Sequence, residues 1–400
     1  MNDIVKIKDS IYWAGAKDPD LRIFDIVMRT QWGTTYNSYI IQDDKIALIE
    51  TVKRRFEKDY LDLLGKQIDL SSIDYIVLDH TEPDHSGALG DLLDKAPRAT
   101  VVCSRAAYQF LKEITNKDFP HIIVGTGDEI NLGHHTLKFI SAPNLHWPDS
   151  IFTYVPEEKI LFSGDVFGFH YCSDAIFNDE VKDDYLPAFR YYYDVIMSPF
   201  KKYVLEAVAK IKDLEIEIIC PSHGPVLRED PWKYVELYRQ WSEVPARADD
   251  KKRVVIEYVS AYGNTAALAQ AIADGIKENP GFDVELLEIK QENIADMARA
   301  IADADGVLIG SPTINRDSVE YVWNVLAKVS AITNRNKPAA AFGSYGWSGE
   351  APNLIEDRLK GLGFSIVQPA YKARLVPSEQ EINDAVEFGR AFASAFICPA

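Results

Sequence analysis

The stretch His80-Thr81-Glu82-Pro83-Asp84-His85-Ser86-Gly87 limits what this chain can fold into more than any other. It follows the apolar run Ile76-Val77-Leu78 and precedes a helix-like segment, Leu89 to Leu93. A buried strand ending in such a loop projects His80, Glu82 and Asp84 from one short backbone segment, where imidazole and carboxylate groups can converge on metal. Pro83 stiffens the loop. The same residues also suit a charged turn that caps a helix, with Asp84 or Ser86 as the cap. Metal binding is the better reading because further His/Asp loops follow downstream, each directly after a strand-like run.

At 400 residues the chain exceeds one ordinary core, and a prior of about 100–200 residues per domain suggests two or three. No apolar run approaches the roughly 18 residues that cross a bilayer. The start, Met1-Asn2-Asp3-Ile4-Val5-Lys6, lacks the regions of a signal peptide. A cytoplasmic protein is expected. The formal charge of −18 is spread along the chain, which disfavours nucleic acid and anionic membranes as partners; solubility alone explains it. Cys103, Cys172, Cys220 and Cys398 form no Cys-x-x-Cys pair, so buried free thiols are expected rather than disulfides or a thiolate metal site.

From Ile4 to about Val52 the pattern is short strands and turns, with Asp43-Asp44-Lys45 as a hairpin turn before Ile46-Ala47-Leu48-Ile49. Arg54 to Leu64 and Ala106 to Ile114 read as helices, alternating with strands at Tyr75–Leu78, Thr100–Cys103 and Ile122–Val124. Three further strand-like runs end in loops that carry His146, Asp165 and His223; a helical stretch from Tyr185 to Ile211 separates the last two. Pro231 to Trp241 reads as a closing helix, and Ala246 to Lys252 as a charged linker. These features predict two β-rich layers with helices outside over residues 1–248.

Beyond the linker the texture changes. Strand candidates at Val254–Val259, Val284–Ile289, Gly306–Ile309, Ala339–Phe342 and Ile366–Val367 alternate with helices at Ala266–Lys277, Ile294–Ala302, Val319–Val329, Asn353–Gly361 and Glu379–Phe396. Regular alternation predicts a doubly wound parallel sheet over 249–400.

His80, Glu82, Asp84, His85, His146, Asp165 and His223 are the candidate ligands. Carboxylate oxygen mixed with imidazole, without thiolate, suits iron, manganese or zinc, and so many groups require two ions. The ligand order resembles the metallo-β-lactamase fold, whose hydrolases carry His-x-His-x-Asp-His in the first loop; here the second position is Glu82. A carboxylate there adds charge and hardness, favouring a redox-cycling diiron centre over a zinc hydroxide site. With a flavodoxin-like half behind it, the arrangement resembles the flavodiiron proteins over essentially the whole chain. That resemblance implies an αββα sandwich followed by a flavodoxin-like domain, and reduction of dioxygen to water or of nitric oxide to nitrous oxide. It further implies that His80, Glu82 and His146 hold one iron, Asp84 and His223 the other, and that Asp165 bridges. His85 is an additional candidate ligand, since the corresponding histidine can turn away in this family.

His121, His134 and His135 are expected to be exposed polar residues. His170 and Tyr193 are candidates to line the metal pocket behind the ligands, Tyr193 being chosen from the run Tyr191-Tyr192-Tyr193.

Val254 to Val259 runs into Ser260-Ala261-Tyr262-Gly263-Asn264-Thr265 and then an alanine-rich helix. Hydroxyls and backbone N–H groups at a helix N-terminus bind a monophosphate, and this turn resembles the flavodoxin phosphate loop; a capped helix start is the plainer alternative. Two more strand-end loops, Ser311-Pro312-Thr313-Ile314-Asn315 and Ser344-Tyr345-Gly346-Trp347-Ser348-Gly349, fall at the same sheet edge, where ligands bind in such folds. FMN is the expected ligand, with Trp347 or Tyr345 available to cover the flavin ring.

The resemblance also implies a head-to-tail homodimer, alone or as a dimer of dimers, with Trp147 as a candidate contact residue. The chain stops at Ala400 without a Cys-x-x-Cys pair, so a rubredoxin-like protein or a reduced deazaflavin is expected to donate electrons. Two other readings stay open: a dinuclear zinc hydrolase with an attached flavodoxin domain, and an FMN electron carrier with a structural metal site.

Overall fold

The structure, a computed structural model, describes residues 3–26, 28–243 and 250–396. The chain divides into two compact units, 1–244 and 245–400. The expected boundary at 248/249, most of the linker and Cys398 lie outside the described residues.

The first unit is built on two sheets. A seven-stranded sheet runs in the order Val5–Lys8, Ile11–Trp13, Tyr39–Ile41, Ile46–Ile49, Ile73–Leu78, Thr100–Cys103, His121–Ile123. Its first strands pair antiparallel through the hairpin at 42–45, and its last four pair parallel. A five-stranded sheet follows chain order through Glu129–Asn131, Thr136–Ser141, Ile151–Val155, Ile160–Phe162 and Ile218–Cys220.

Period-two alternation sorts the side chains. Trp13, Tyr39, Ile49, Val77 and Val102 from one sheet share a core with Phe139, Ile151, Val155 and Phe162 from the other. The alternate residues Ile40, Leu48, Ile76 and Leu78 pack outward with Leu64, Leu89, Leu92 and Leu111, while Phe152, Leu161 and Ile219 join Val204, Val208 and Tyr238. This is the expected αββα sandwich. Each metal loop leaves a strand whose other residues are locked in these cores.

In the second unit the strands run in the order Phe282–Glu288, Lys252–Tyr258, Gly306–Gly310, Pro338–Tyr345, Ser365–Ile366, with Tyr371–Arg374 also pairing Pro338–Tyr345. Every pairing is parallel. The order reverses beside Lys252–Tyr258, which is the flavodoxin-type switch point. Helices Asn264–Lys277 and Glu379–Ala395 cover one face; Ile294–Asp303, Glu320–Leu326 and Ala351–Gly361 cover the other. The first pair touches backbone to backbone: a Cβ on Gly275 would lie 2.0 Å from Val386 O, and one on Gly389 2.1 Å from Ile272 O. Only glycine permits that approach.

Two expectations are corrected and one strand is added. The stretch Tyr185–Ile211 is not one helix: Leu186–Tyr192 widens into a π-helical turn at Tyr193–Met197, tightens to a 3-10 turn at Ser198–Phe200 and resumes at Lys201–Ile211. Pro199 removes a backbone donor at the break. Lys252 belongs to a strand rather than the linker. The strand Tyr371–Arg374, with only Ala373 buried, has too little apolar pattern to read from sequence.

Candidate metal centre and flavin loops

Strand Ile73–Leu78 ends the core, and Asp79 and His80 leave it into the loop. Pro83 then starts a single helical turn, Pro83–Ser86, with Glu82 at the N-cap position and no side-chain capping bond. The plain capping reading is thereby set aside: Asp84, His85 and Ser86 are buried within the turn.

The remaining loops deliver their groups to the same place. His80, Glu82, His146 and Asp165 offer atoms that all lie within 4.8 Å of one another, and so do Asp84, His85 and His223. In the first group His146 Nε2 lies 3.0 Å from Glu82 Oε2 and 3.2 Å from Asp165 Oδ2. His80 Nε2 lies 3.4 Å from Glu82 Oε2 and 3.7 Å from Asp165 Oδ2. In the second group His223 Nε2 is 3.1 Å from Asp84 Oδ2, and His85 Nε2 is 3.4 Å from Asp84 Oδ1. The other oxygen of Asp165, Oδ1, lies 3.3 Å from His85 Nε2 and 3.4 Å from His223 Nε2. Asp165 thus presents one oxygen to each group, and His85 points inward.

Both oxygens of Asp84, Oδ1 of Asp165 and Nε2 of His85 are buried without a hydrogen-bond partner. Such atoms are costly unless something else satisfies them. Converging carboxylate and imidazole donors with open valences fit a pair of hard or borderline cations.

The charges agree. Burial works against ionisation, yet His146 and His80 hold the Glu82 carboxyl well below the usual range. Asp165 is likewise held low, against burial, by His85 and His146. Burial lowers the histidines, but Asp149 and Glu82 push His80 up to about 10, and Asp165 and Glu82 push His146 up to about 9.

The rings are aimed from behind. His80 Nδ1 lies 3.2 Å from Asp149 Oδ2, which also accepts from the Thr81 N–H and hydroxyl at 2.8 Å each. His223 Nδ1 donates to Thr35 O at 2.6 Å. Glu50 Oε2 lies 3.2 Å from His85 Nδ1. An outer partner of this kind fixes the tautomer and leaves Nε2 for metal.

Sequence reading missed Glu50 and Asp149, single carboxylates whose burial only the assembled fold reveals. It also missed Asp25, on the hairpin Ile23–Phe24/Met28–Arg29. Burial, followed by a hydrogen bond to Glu82, pushes the Asp25 carboxyl up to about 7. Its neighbour Phe24 packs 4.3 Å from the ring of His170 and 5.8 Å from that of His223.

His170 lines this pocket: its ring lies 4.8 Å from His223, and Nδ1 is 2.8 Å from Thr34 Oγ1. Tyr193 does not. Its hydroxyl pairs with Ser242 Oγ at 2.8 Å and its ring packs on Tyr238 and Trp241. Tyr192 instead stands 5.0 Å from His170 and 6.4 Å from His223; one residue along a helix turns the side chain by roughly 100°. Trp147 sets its ring perpendicular to His80 at 5.3 Å. His121 and His134 are exposed as expected, but His135 is buried, with Nδ1 2.9 Å from Asp43 Oδ2. Cys103 and Cys220 are buried free thiols, whereas Cys172 is only half-buried.

In the second unit the loop 260–265 ends in helix Asn264–Lys277, whose N-cap, Gly263, has φ +82° and no side-chain cap. A Cβ there would meet nothing within 4 Å, so the turn faces open space. Ser260 Oγ accepts from Ala266 N at 3.2 Å, and Thr265 Oγ1 lies 2.9 Å from Ser344 Oγ. Thr313 N donates to Ser344 O at 2.9 Å, tying the last two loops together. Thr313, Ile314, Asn315, Gly346, Trp347 and Ser348 line a cavity of about 230 Å³. Tyr262 and Trp347 are 92% and 94% exposed, an unusual state for large aromatics that suits a planar ring stacked on them. Ser311 and Pro312 are buried: the Ser311 hydroxyl donates to Pro312 O and accepts from Val319 N, shaping its loop from inside. Tyr345 and Gly349 are half-buried, with Gly349 against the Tyr345 ring.

Comparisons with known proteins agree with both halves. Residues 34–224 match the family model described as ODP family beta lactamase, and 256–389 match Flavodoxin. The chain is 42% identical to the flavo-diiron protein FprA2 of Clostridium acetobutylicum, covering 98% of this chain and 99% of that one. It is 37% identical to a nitric oxide reductase of Moorella thermoacetica, covering 98% and 99%. Among solved structures, rubredoxin oxygen:oxidoreductase from Desulfovibrio gigas is similar with a TM-score of 0.67 at 30% identity, covering 99% of each chain. Fold and site define a class that joins a lactamase-type dinuclear metal unit to a flavodoxin unit. The chain belongs to the flavodiiron protein family.

Proposed function

We infer that this chain is a flavodiiron oxidoreductase that reduces dioxygen to water, nitric oxide to nitrous oxide, or both. The observation that carries the reading is the Asp165 carboxylate, with one oxygen facing each of two His/carboxylate groups in a chain that also bears a flavodoxin half. When bound, two ferrous ions and a reduced FMN supply the four electrons that dioxygen requires, or the two that a pair of nitric oxide molecules requires.

His80, Glu82 and His146 would hold one iron and Asp84, His223 and the inward-facing His85 the other, with Asp165 shared. Both gas reductions consume protons, and the Asp25 carboxyl, pushed up by burial and hydrogen-bonded to Glu82, is the proposed proton carrier beside the site. Phe24 and Tyr192 are buried against the rings of His170 and His223 and limit water there. In the flavin half, the N-terminus of helix Asn264–Lys277 and the hydroxyls of Ser260 and Thr265 would take the FMN phosphate, assisted by the helix dipole. Thr313, Ile314, Asn315, Gly346, Trp347 and Ser348 would surround the ring. The domain limits 1–248 and 249–400 belong to this proposal.

Electrons come from an external donor, for which a rubredoxin-like protein or a reduced deazaflavin is proposed. A cytoplasmic location and a head-to-tail homodimer or dimer of dimers, with Trp147 near the contact, complete the proposal; among the described residues no helix is long and apolar enough to cross a membrane. Metal and flavin analysis after anaerobic purification tests it. About two iron and one FMN per chain, with consumption of either gas, support the function. About two zinc with ester or lactam hydrolysis would establish the hydrolase instead, and FMN reduction without gas consumption the electron carrier.

A further inference from the structure

Glu50 ends strand Ile46–Ile49 with a left-handed backbone, φ +62°, and is 1% exposed. Left-handed non-glycine residues are uncommon and persist where the surroundings over-determine them. Here the backbone is pinned on both sides: Glu50 N donates to Val77 O at 2.8 Å, and Ser38 Oγ donates to Glu50 O at 2.9 Å.

The side chain reaches both metal groups. Oε1 accepts from Asp79 N at 2.6 Å and from His80 N at 3.0 Å, fixing the backbone from which the first group springs. Oε2 has no hydrogen-bond partner of good geometry, but it lies 3.2 Å from Nδ1 of His85 in the second group. The adjoining Thr51 holds the same histidine by its backbone, with N–H and hydroxyl both donating to His85 O. His85 is thus gripped at its carbonyl and at the outer edge of its ring, and Nε2 is left facing Asp84 Oδ1 and Asp165 Oδ1.

We propose that Glu50 is a positioning residue: its carboxylate keeps His85 turned inward with the proton on Nδ1, so that Nε2 remains available to the second metal. The inference rests on the dinuclear reading above and adds to it a cause for the orientation of His85. A carboxylate offers only acceptors to Nδ1–H, and that fixes the tautomer with Nε2 unprotonated. An amide in its place can still accept from Asp79 N and His80 N through its oxygen. Its NH2 would then face Nδ1 as a donor and favour the tautomer protonated on Nε2, which cannot ligate.

The test uses the full chain, freed of metal, with FMN retained, and titrated anaerobically with Co2+, whose visible spectrum reports ligand number. Wild-type protein should take two equivalents. Glu50→Gln should bind the first much as wild type does and the second about 10- to 100-fold more weakly. His85→Ala should show the same loss, and the double variant should be no worse than His85→Ala alone. A Glu50→Gln protein with wild-type affinity and spectrum at the second equivalent, or losses that add in the double variant, would overturn the proposal. A second measurement needs no change at Glu50: in zinc-loaded wild-type protein labelled with 15N-histidine, the signals absent from His85→Asn should show Nδ1 protonated and Nε2 metal-bound. Protonation on Nε2 would overturn it. Wild-type protein that fails to take two metal ions would instead contradict the dinuclear reading itself.

Discussion

The Asp149 carboxylate lies 3.2 Å from Nδ1 of His80, on the side of the ring away from Glu82 and Asp165. Asp149 is fully buried and also takes both polar groups of Thr81, so it orients the ring and the start of the metal loop together. Asp149→Asn should weaken the first metal by about 10- to 100-fold, as loss of an outer partner does at other histidine sites. Metal titration monitored by Co2+ absorbance checks this, with an unchanged FMN content showing that the fold persists.

Among the described residues Asp165 is the one candidate ligand whose two oxygens face ligand nitrogens of different groups. Asp165→Ala should therefore lose at least one iron per chain and abolish gas reduction while FMN stays bound. Iron and flavin assays on the same preparation decide it; wild-type turnover would remove the bridging role.

The flavin loops carry the opposite expectation. Ser260→Ala with Thr265→Ala removes the hydroxyls at the N-terminus of helix Asn264–Lys277. Hydrogen bonds to charged groups contribute about 1.5–3 kcal/mol each, so FMN should bind at least about 10-fold more weakly while iron content holds. Flavin fluorescence titration measures the change. Equal loss of iron and FMN would indicate misfolding.

Glu257 sets a pH dependence outside both sites. It lies on the central strand Lys252–Tyr258, is 0% exposed, and both carboxylate oxygens lack a partner. Burial, with a smaller contribution from Glu285, pushes its carboxyl up from the usual range to about 9. The folded unit thus holds a proton that the unfolded chain releases near 4.5. Stability from this group is present below the unfolded value and falls as pH rises toward 9. Glu257→Leu should stabilise the second unit by about 1–3 kcal/mol at neutral pH, the cost of an unsatisfied buried polar group, and by more at pH 8 than at pH 6. Denaturation monitored by FMN release at the two pH values checks the sign.

Much of this architecture is legible in the sequence because apolar runs stop abruptly at chemistry-bearing loops. Ile76-Val77-Leu78 before His80, and Ile160-Leu161-Phe162 before Asp165, identify both the strands and the ligands they deliver. The choice of Tyr193 over Tyr192 failed because three consecutive tyrosines hide the phase of a helix that the π-helical turn then shifts. Glu50, Asp149 and Asp25 were invisible because each is one carboxylate among 61 acidic residues, marked only by the burial and partners that tertiary packing gives it. His135 misled for the same reason: its partner, Asp43, is 92 residues away.

Anaerobic stopped-flow mixing of the fully reduced protein with dioxygen or with nitric oxide addresses the central claim most directly. Flavin and iron should reoxidise together within the first turnover, and the electrons released should match the gas consumed: four per dioxygen, or two per pair of nitric oxide molecules. Flavin reoxidation that proceeds equally fast in protein stripped of iron, with hydrogen peroxide as the product, would contradict it.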